Sequence, residues 1–402
     1  MPKFKYKASN MSGQTIDGVY EAANQEAVRY MLRQKSFYPL EIGEVVESVG
    51  SKQIDFSPKI SAKNMTIFCQ QFAAILEAGV PLSQGLEIMS QQSEDKRLKE
   101  VLLDVHQKVQ TGRSLTDSFK DHPSRFSDLF FSMLQSGELA GTLSTSFTRL
   151  GVNYEKDNAV SRKLKNAMIY PSVLAVVAIA VIWLMMTQII PRFTGIFESA
   201  GASLPKITQM MINFSDFVGK NGVFILGVLL IIILIRITLK SKKGRFEWDK
   251  LKLRLPVFGK LITKVVAARF TRTLSTLFGA GVSLTSALES TAHALGNAYV
   301  EQGVMEVAEN VRQGRSLAST IDGLKIFPPM VVHMTRIGEE SGSLETMLNS
   351  TAEFYDQEAS DAITRMMALM EPAIILVLGG IVLFIVLSIF LPMLNMMNLV
   401  QM

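Results

Sequence analysis

Cysteine is nearly absent from this chain: Cys69 is the only one in 402 residues. A single thiol cannot close an intrachain disulfide, and its place in a helical pattern marks it as a small core residue. Histidine is scarce too. His106, His122, His293 and His333 show none of the short spacings that hold a metal, so no metal site is expected. No G-x-x-x-x-G-K-[ST] loop occurs, which excludes a P-loop ATPase. No G-x-S-x-G elbow or Cys/His pair supplies a nucleophile. These absences point away from an enzyme and from a bound cofactor. Charge is sparse as well, at 19% of residues with a net +5, and the basic residues form no nucleic-acid footprint. The first residues, MPKFKYKAS, lack the apolar centre of a signal peptide, so neither cleavage nor export is expected of them.

What is abundant is apolar sequence, and it comes twice. Hydrophobic residues make up 48% of the chain and the mean hydropathy is +0.25, which suits a protein partly in lipid. Phe68 to Glu87 returns as Phe270 to Glu289, with Gly79 matched by Gly281. The T-G-R-S-L run at 111–115 returns as Q-G-R-S-L at 313–317. After a one-residue deletion, G-E-L-A-G-T-L at 137–143 returns as G-E-E-S-G-S-L at 338–344. Pro171 and Pro191 return as Pro372 and Pro392, each pair bracketing an apolar run. The unit is a polar helical domain followed by a membrane span, in tandem.

The pattern predicts an all-α membrane protein with a small N-terminal α+β domain. That domain occupies 1–46, with strands at Lys3–Ser9, Thr15–Ala22 and Tyr38–Val46. Between the last two strands, Asn24 would cap a helix carrying Ala27, Val28, Met31 and Leu32. Residues 47–60 read as a linker. Helical bundle 1 spans 61–166 and helical bundle 2 spans 260–370, each of up to six helices. Three transmembrane helices are expected, at 171–191, 221–240 and 373–393, with an extracytoplasmic loop at 192–220. Arg236 would snorkel from the second span, and the basic residues after it would meet headgroups. Lysine and arginine crowd the ends next to both bundles and are few in the loop, so both bundles face the cytoplasm.

The K-L-K-N-A-M-I-Y-P run at 163–171, with Pro191 beyond it, resembles the signature of the type II secretion F family. The A-G-V turns at 78–80 and 280–282, the two G-E-x-x-G-x-L motifs and the leading Y-K-A-S-N segment resemble that family too. The likeness covers nearly the whole chain. It implies a non-enzymatic platform in the bacterial inner membrane, serving a type IV pilus or a type II secretion machine. Partners implied are a hexameric assembly or retraction ATPase, pilin or pseudopilin transmembrane helices, and other inner-membrane assembly proteins, with membrane lipid around the spans. Bundles that expose faces to like partners also suit a homo-oligomer. The rival reading is a small-solute permease, which would need polar sites within the membrane.

Six side chains are candidates for partner contact. Glu138 and Glu339, with Glu340 beside the latter, lie in the G-E-x-x-G motifs just before the last helix of each bundle. A negative charge there is favoured by that helix's dipole, and the alternative is a contact with a partner's arginine or a cation. Arg113 and Arg315 follow equivalent glycine turns, as solvated charges or as contacts. Glu371 stands at the edge of the third span, either hydrated or paired with a pilin's N-terminal region or a neighbouring span. Gly79, Gly281, Pro171, Pro191, Pro372 and Pro392 are read as structural.

Overall fold

The computed structural model describes residues 3–9, 15–21, 25–34, 37–44, 59–189, 241–256 and 258–400. Outside them lie Asn24, most of the 47–60 linker, Pro191, the loop at 192–220, and the segment expected as the second span with Arg236. The chain divides into two units, Met1–Ser57 and Pro58–Met402.

In the first unit, alternating residues form an antiparallel sheet of β1 (Lys3–Ser9), β2 (Thr15–Glu21) and β3 (Tyr38–Glu44), in the order β2-β1-β3. Tyr6 faces Gly18 on one side and Ile42 on the other, and the β1–β3 register shifts between Lys7 and Ala8. Helix α1 (Gln25–Gln34) buries Val28 and Leu32 against Ala8. Ala27, expected in that stripe, is exposed, while Met31 packs half-buried beside Val28 and Leu32.

In the second unit, helix ends follow from residue chemistry. Ser61 caps α2 (Ala62–Glu77) and Asp95 caps α4 (Lys96–Gln110), each accepting backbone N–H groups that a helix start leaves free. Between them α3 (Leu82–Gln92) follows Pro81, which sits at the cap position, not inside the first turn. Gly79 and Gly112 adopt φ values of 78° and 87°, a region that side chains with a Cβ resist. The bundle closes with α5 (Leu115–Lys120), α6 (Asp128–Ala140) and α7 (Leu143–Leu184), whose last turn passes into a π-helical turn at Met185–Ile189.

The second half repeats this frame. After α8 (Lys242–Arg254) come α9 (Phe258–Gly279), α10 (Leu284–Ala294), α11 (Ala298–Arg312), α12 (Leu317–Leu324), α13 (Pro329–Ser341) and α14 (Leu344–Val400). Helices α10, α11 and α12 start 202 residues after α3, α4 and α5, and α13 and α14 start 201 after α6 and α7. The left-handed glycines recur as Gly281, Gly314 and Gly342 against Gly79, Gly112 and Gly141.

Residues from Lys242 onward form α8, which docks on the second bundle. There the Asp249 carboxylate accepts the Ala298 N–H at 2.9 Å, and the Asn297 amide donates to the Asp249 carbonyl at 3.2 Å. One expectation fails: by helical spacing Leu344, Met347, Leu348, Thr351 and Phe354 read in the sequence as a single stripe, but Phe354 is 44% exposed. The stripe continues from Leu348 to Ala352 and Tyr355, so Phe354 stands just off it.

Both long helices carry bundle sequence and apolar sequence without a break. Helix α7 runs 42 residues through Pro171, and α14 runs 57 residues through Pro372. At 1.5 Å per residue they extend about 63 and about 85 Å. Among the described residues these two helices are long and apolar enough to cross a membrane.

Candidate functional site

Glu138 sits in the last turn of α6, where the carbonyl end of its own helix disfavours a negative charge. Its two oxygens instead accept the Leu115 N–H at 2.6 Å and the Thr116 N–H at 2.9 Å, while Ser114 accepts from Asp117. Three of the free donors at the start of α5 are thereby satisfied. Glu339 repeats the arrangement with Leu317 at 2.6 Å and Ala318 at 2.8 Å, and the Ser316 hydroxyl also donates to it. Sequence proximity pointed to the last helix of each bundle as the one these carboxylates serve. The structure assigns them to α5 and α12, because α6 and α13 lie alongside the short helices that come 20-odd residues earlier. The motif's glycines have separate jobs. A Cβ on Gly137 would come within 2.3 Å of Ser146 Oγ, and on Gly338 within 2.9 Å of the Leu344 Cα, so both permit the final helix to pack close. Gly141 and Gly342 then turn the chain at φ 70° and 69°.

The two arginines of the glycine turns differ. Arg113 grips Asp121 with both terminal nitrogens, at 2.6 and 3.0 Å, and donates to the Asp117 carbonyl. Lys108 reaches the same carboxylate at 2.7 Å. Hydrogen bonds from Arg113 and Lys108 hold the Asp121 carboxyl down at about 2. Arg315 has no such partner, because Ser319 and Gly323 occupy the places of Asp117 and Asp121. It is exposed and makes no ion pair among the described residues, and the same holds for Glu340 and Glu371.

Where the bundles meet, Arg272 is the hub. It is buried in α9 and donates to Asp356 on α14 at 2.8 Å and to Asp157 on α7 at 3.4 Å. Arg269, one turn away, also donates to Asp157, at 3.2 Å. Burial pushes the Asp356 carboxyl above its ordinary range, against the pull of Arg272. Beside this clasp lies a polar cavity of about 390 Å³ whose walls include Arg149, Asn153, Lys156, Arg272 and Glu345. Further along, Ser132 and Ser290 share a 2.8 Å hydrogen bond, and Ser136 donates to the Ala280 carbonyl at 2.5 Å.

Toward the membrane the two long helices stay together. Pro171 to Ile182 of α7 and Met370 to Ile381 of α14 flank a groove of about 390 Å³ with almost no polar wall. Glu371 lies at its bundle end on an exposed part of α14.

The profile of the family described as type II secretion system (T2SS), protein F, matches residues 68–191 and again 270–392. That of its N-terminal domain matches residues 1–43. This chain belongs to the type II secretion F family. Among its F-family relatives, the type II secretion system protein F of Vibrio cholerae is 35% identical over 405 residues, covering 100% of both chains. The type IV pilus assembly protein PilC of Myxococcus xanthus is 34% identical over 99% of this chain and 96% of its own. PilC of Thermus thermophilus is 34% identical over 98% of each.

Within this F-family frame the sequence reading located the glycine turns. It did not single out Asp157, Arg269, Arg272 or Asp356. One signal for them was present: the repeat replaces Ile67 by Arg269 and Gln70 by Arg272, placing two cations on a helix face that is neutral in the first copy.

Proposed function

We propose that this chain is an inner-membrane platform that couples a cytoplasmic motor ATPase to the assembly of pilin or pseudopilin subunits. The supporting observation is the pair of continuous helices. Each begins inside a bundle and runs unbroken into apolar sequence, so a tilt or rotation imposed on the bundle reaches the lipid phase through one rigid rod. The likeness along the full chain to proteins named for pilus assembly and for type II secretion supports the same reading.

In this reading the first 46 residues are a small α+β domain, three helices span the membrane, and both bundles are cytoplasmic. The loop at 192–220 faces outward. The apolar groove between α7 and α14 faces subunit transmembrane helices, and Glu371 at its edge meets a pilin's N-terminal region or a neighbouring span. Arg315 and Glu340, exposed on the second bundle, are contact points for the motor or another assembly protein. The protein works without catalysis or cofactor, and as a homo-oligomer.

The test is reconstitution of the full chain in lipid nanodiscs with the purified ATPase of its own pilus or secretion system. Retention of the hexamer, reduced by an Arg315→Glu change, supports the platform. Absence of binding, together with solute uptake by proteoliposomes of the chain alone, favours a permease. Glu371→Gln that leaves filament or secretion output intact removes the role assigned to that carboxylate.

A further inference from the structure

Helix α8 carries apolar side chains on the side it turns away from its bundle. At about 100° per residue, Phe246, Asp249, Lys250 and Leu253 share one face. That face is docked. The Phe246 ring lies 5.3 Å from that of Tyr299, the Lys250 ammonium stands 5.6 Å over the same ring, and Leu253 packs against the core. Trp248, Leu251 and Leu255 fall on the opposite face. They are 42%, 48% and 41% exposed, and Phe258, at the start of α9, is 50% exposed. A bundle helix that faces water has the reverse arrangement, with its polar side outward. Apolar residues gathered on the outer side of an already docked helix mark a second contact.

The height of this face decides what it meets. Helix α9 runs antiparallel to α14: Ser275 donates to the Glu345 carbonyl, Arg272 to Asp356, and Lys264 pairs with Glu358. Leu261 then packs with Ile363 and Met366 of α14 and with Ala167 of α7. The start of α9 therefore points toward the apolar ends of both long helices. Phe258 stands about 4.5 Å beyond Leu261, and Met370 about 6 Å beyond Met366. The corner between α8 and α9 is thus level with Pro171 and Met370, where the apolar groove begins. Gly259 keeps that corner tight, since a Cβ there would come within 2.3 Å of the Leu253 carbonyl oxygen. The rest of α8 crosses the start of α11, and Arg269 ties the turn before α11 to the same end of the bundle through the Leu295 carbonyl. Charge agrees with that position. Helix α8 holds six basic residues against two acidic ones. Asp249 is buried and held by Lys252 and the Ala298 N–H, which leaves Glu247 as its exposed carboxylate. Lys243, Arg254 and, early in α9, Lys260 are exposed and make no ion pair among the described residues.

We propose that α8 lies in the surface of an anionic bilayer, with Trp248, Leu251, Leu255 and Phe258 among the upper acyl segments and Lys243, Arg254 and Lys260 at headgroup phosphates. A basic helix with tryptophan and leucine on its other side sinks about 5–10 Å into the headgroup boundary. Tryptophan favours that level, and basic residues beside a membrane are drawn to anionic lipid. The second bundle is then fixed to the bilayer at two places, by α14 and by α8, which limits its tilt. The proposal rests on the reading that α7 and α14 enter a membrane beyond Pro171 and Pro372. It goes further by assigning lipid to a helix outside the spans.

The chain has two tryptophans, Trp183 and Trp248, so each can be left as the sole reporter. The test places the full chain with Trp183→Phe in nanodiscs of phosphatidylglycerol and phosphatidylcholine, brominated either near the headgroup or near the methyl end of the acyl chains. Trp248 is expected to lose most of its emission to the shallow bromines, far less to the deep ones, and to be shielded from iodide in solution. In discs of phosphatidylcholine alone this quenching is expected to weaken. Quenching by iodide and not by bromine puts the face in water and overturns the proposal. Shielding from both reports a protein cover and overturns it too. Equal quenching without phosphatidylglycerol overturns the assignment to anionic headgroups. Leu255 is exposed, so Leu255→Glu leaves the fold intact and is expected to move Trp248 from bromine to iodide quenching. An unchanged pattern in that variant overturns the proposal. The companion chain with Trp248→Phe reports on Trp183, about 18 Å along α7 from Pro171 and expected to be quenched by the deep bromines. Trp183 quenched with Trp248 unaffected defeats the assignment of α8 alone, whereas no quenching of either defeats the membrane reading itself.

Discussion

The two bundles share a frame and differ in what fills it. The left-handed glycines, the serine caps and the glutamate caps of the short helices recur at matched positions. The cores do not. In the first bundle Phe68, Phe72, Phe119, Phe126, Phe130 and Phe147 form one aromatic cluster, with Phe72 and Phe147 4.8 Å apart edge to face. In the second bundle Leu274, Ile321, Val331 and Leu348 take four of those places, and Phe270 and Phe327 remain. Backbone geometry is what the repeat preserves, because a left-handed turn or a helix start accepts few residue types, while a core accepts any set of matching volume. That freedom let the copies specialise.

The sharpest way to break the comparison is in the core. Phe147→Ala is expected to destabilise the first bundle by about 3–5 kcal/mol, and Val331→Ala the second by roughly 1–3 kcal/mol, since less buried volume is lost. Thermal unfolding in detergent, with proteolysis to locate the opened half, measures both. Equal losses would mean that the aromatic cluster confers no extra packing on the first bundle.

Next is the clasp. Arg272→Gln restores the residue of the first copy, where Gln70 donates to Glu155 at 3.0 Å in an exposed pair. Here it would leave Asp157 and Asp356 without their shared cation. A loss of roughly 3 kcal/mol is expected, as for removal of one partner from a buried pair. Hydrogen exchange should quicken in α7 and α9 together. The reciprocal Gln70→Arg should change stability by less than about 0.5 kcal/mol, as ordinary surface substitutions do. If both changes prove equally mild, the clasp is not what joins the halves.

The helical repeat, its glycine turns and its resemblance to a secretion family were legible in the sequence because each rests on local rules. A glycine after an apolar stripe is a signal carried within a few residues. The target of Glu138 was not legible, since the donors it meets come from 22 to 23 residues earlier and are brought there by packing. The clasp was hidden for the same reason: Asp157 and Arg272 are 115 residues apart. Phe354 misled because a helical stripe tolerates an extra apolar residue at its border, and periodicity alone does not say which border is solvent.

The glutamate caps offer a matched test of what the bundles still share. Glu138→Ala and Glu339→Ala are each expected to cost about 1 kcal/mol, the usual loss for a helix cap, and to cost alike. Thermal unfolding measures this, and motor binding by the same variants separates a capping role from a contact role. If binding falls while stability holds, the carboxylate serves a partner and not α5 or α12.

The smallest expected effect concerns Asp121, which has no counterpart in the second bundle. Its carboxyl is held at about 2 by Arg113 and Lys108, below the ordinary 3.8. A carboxyl with a depressed folded value binds fewer protons in the folded state than in the unfolded state between those two values. Its stabilising contribution is therefore complete above pH 3.8 and is lost as pH falls toward 2. The pair is more than a third exposed on both sides, so solvent screening limits the gain to about 0.5–1 kcal/mol. Asp121→Asn should lower the stability of the first bundle by that amount at neutral pH and leave the second untouched. The gap to the unmodified chain should close as pH is brought from 4 to 2. A gap that persists through that range would show that Asp121 acts through packing around α5 and not through its charge.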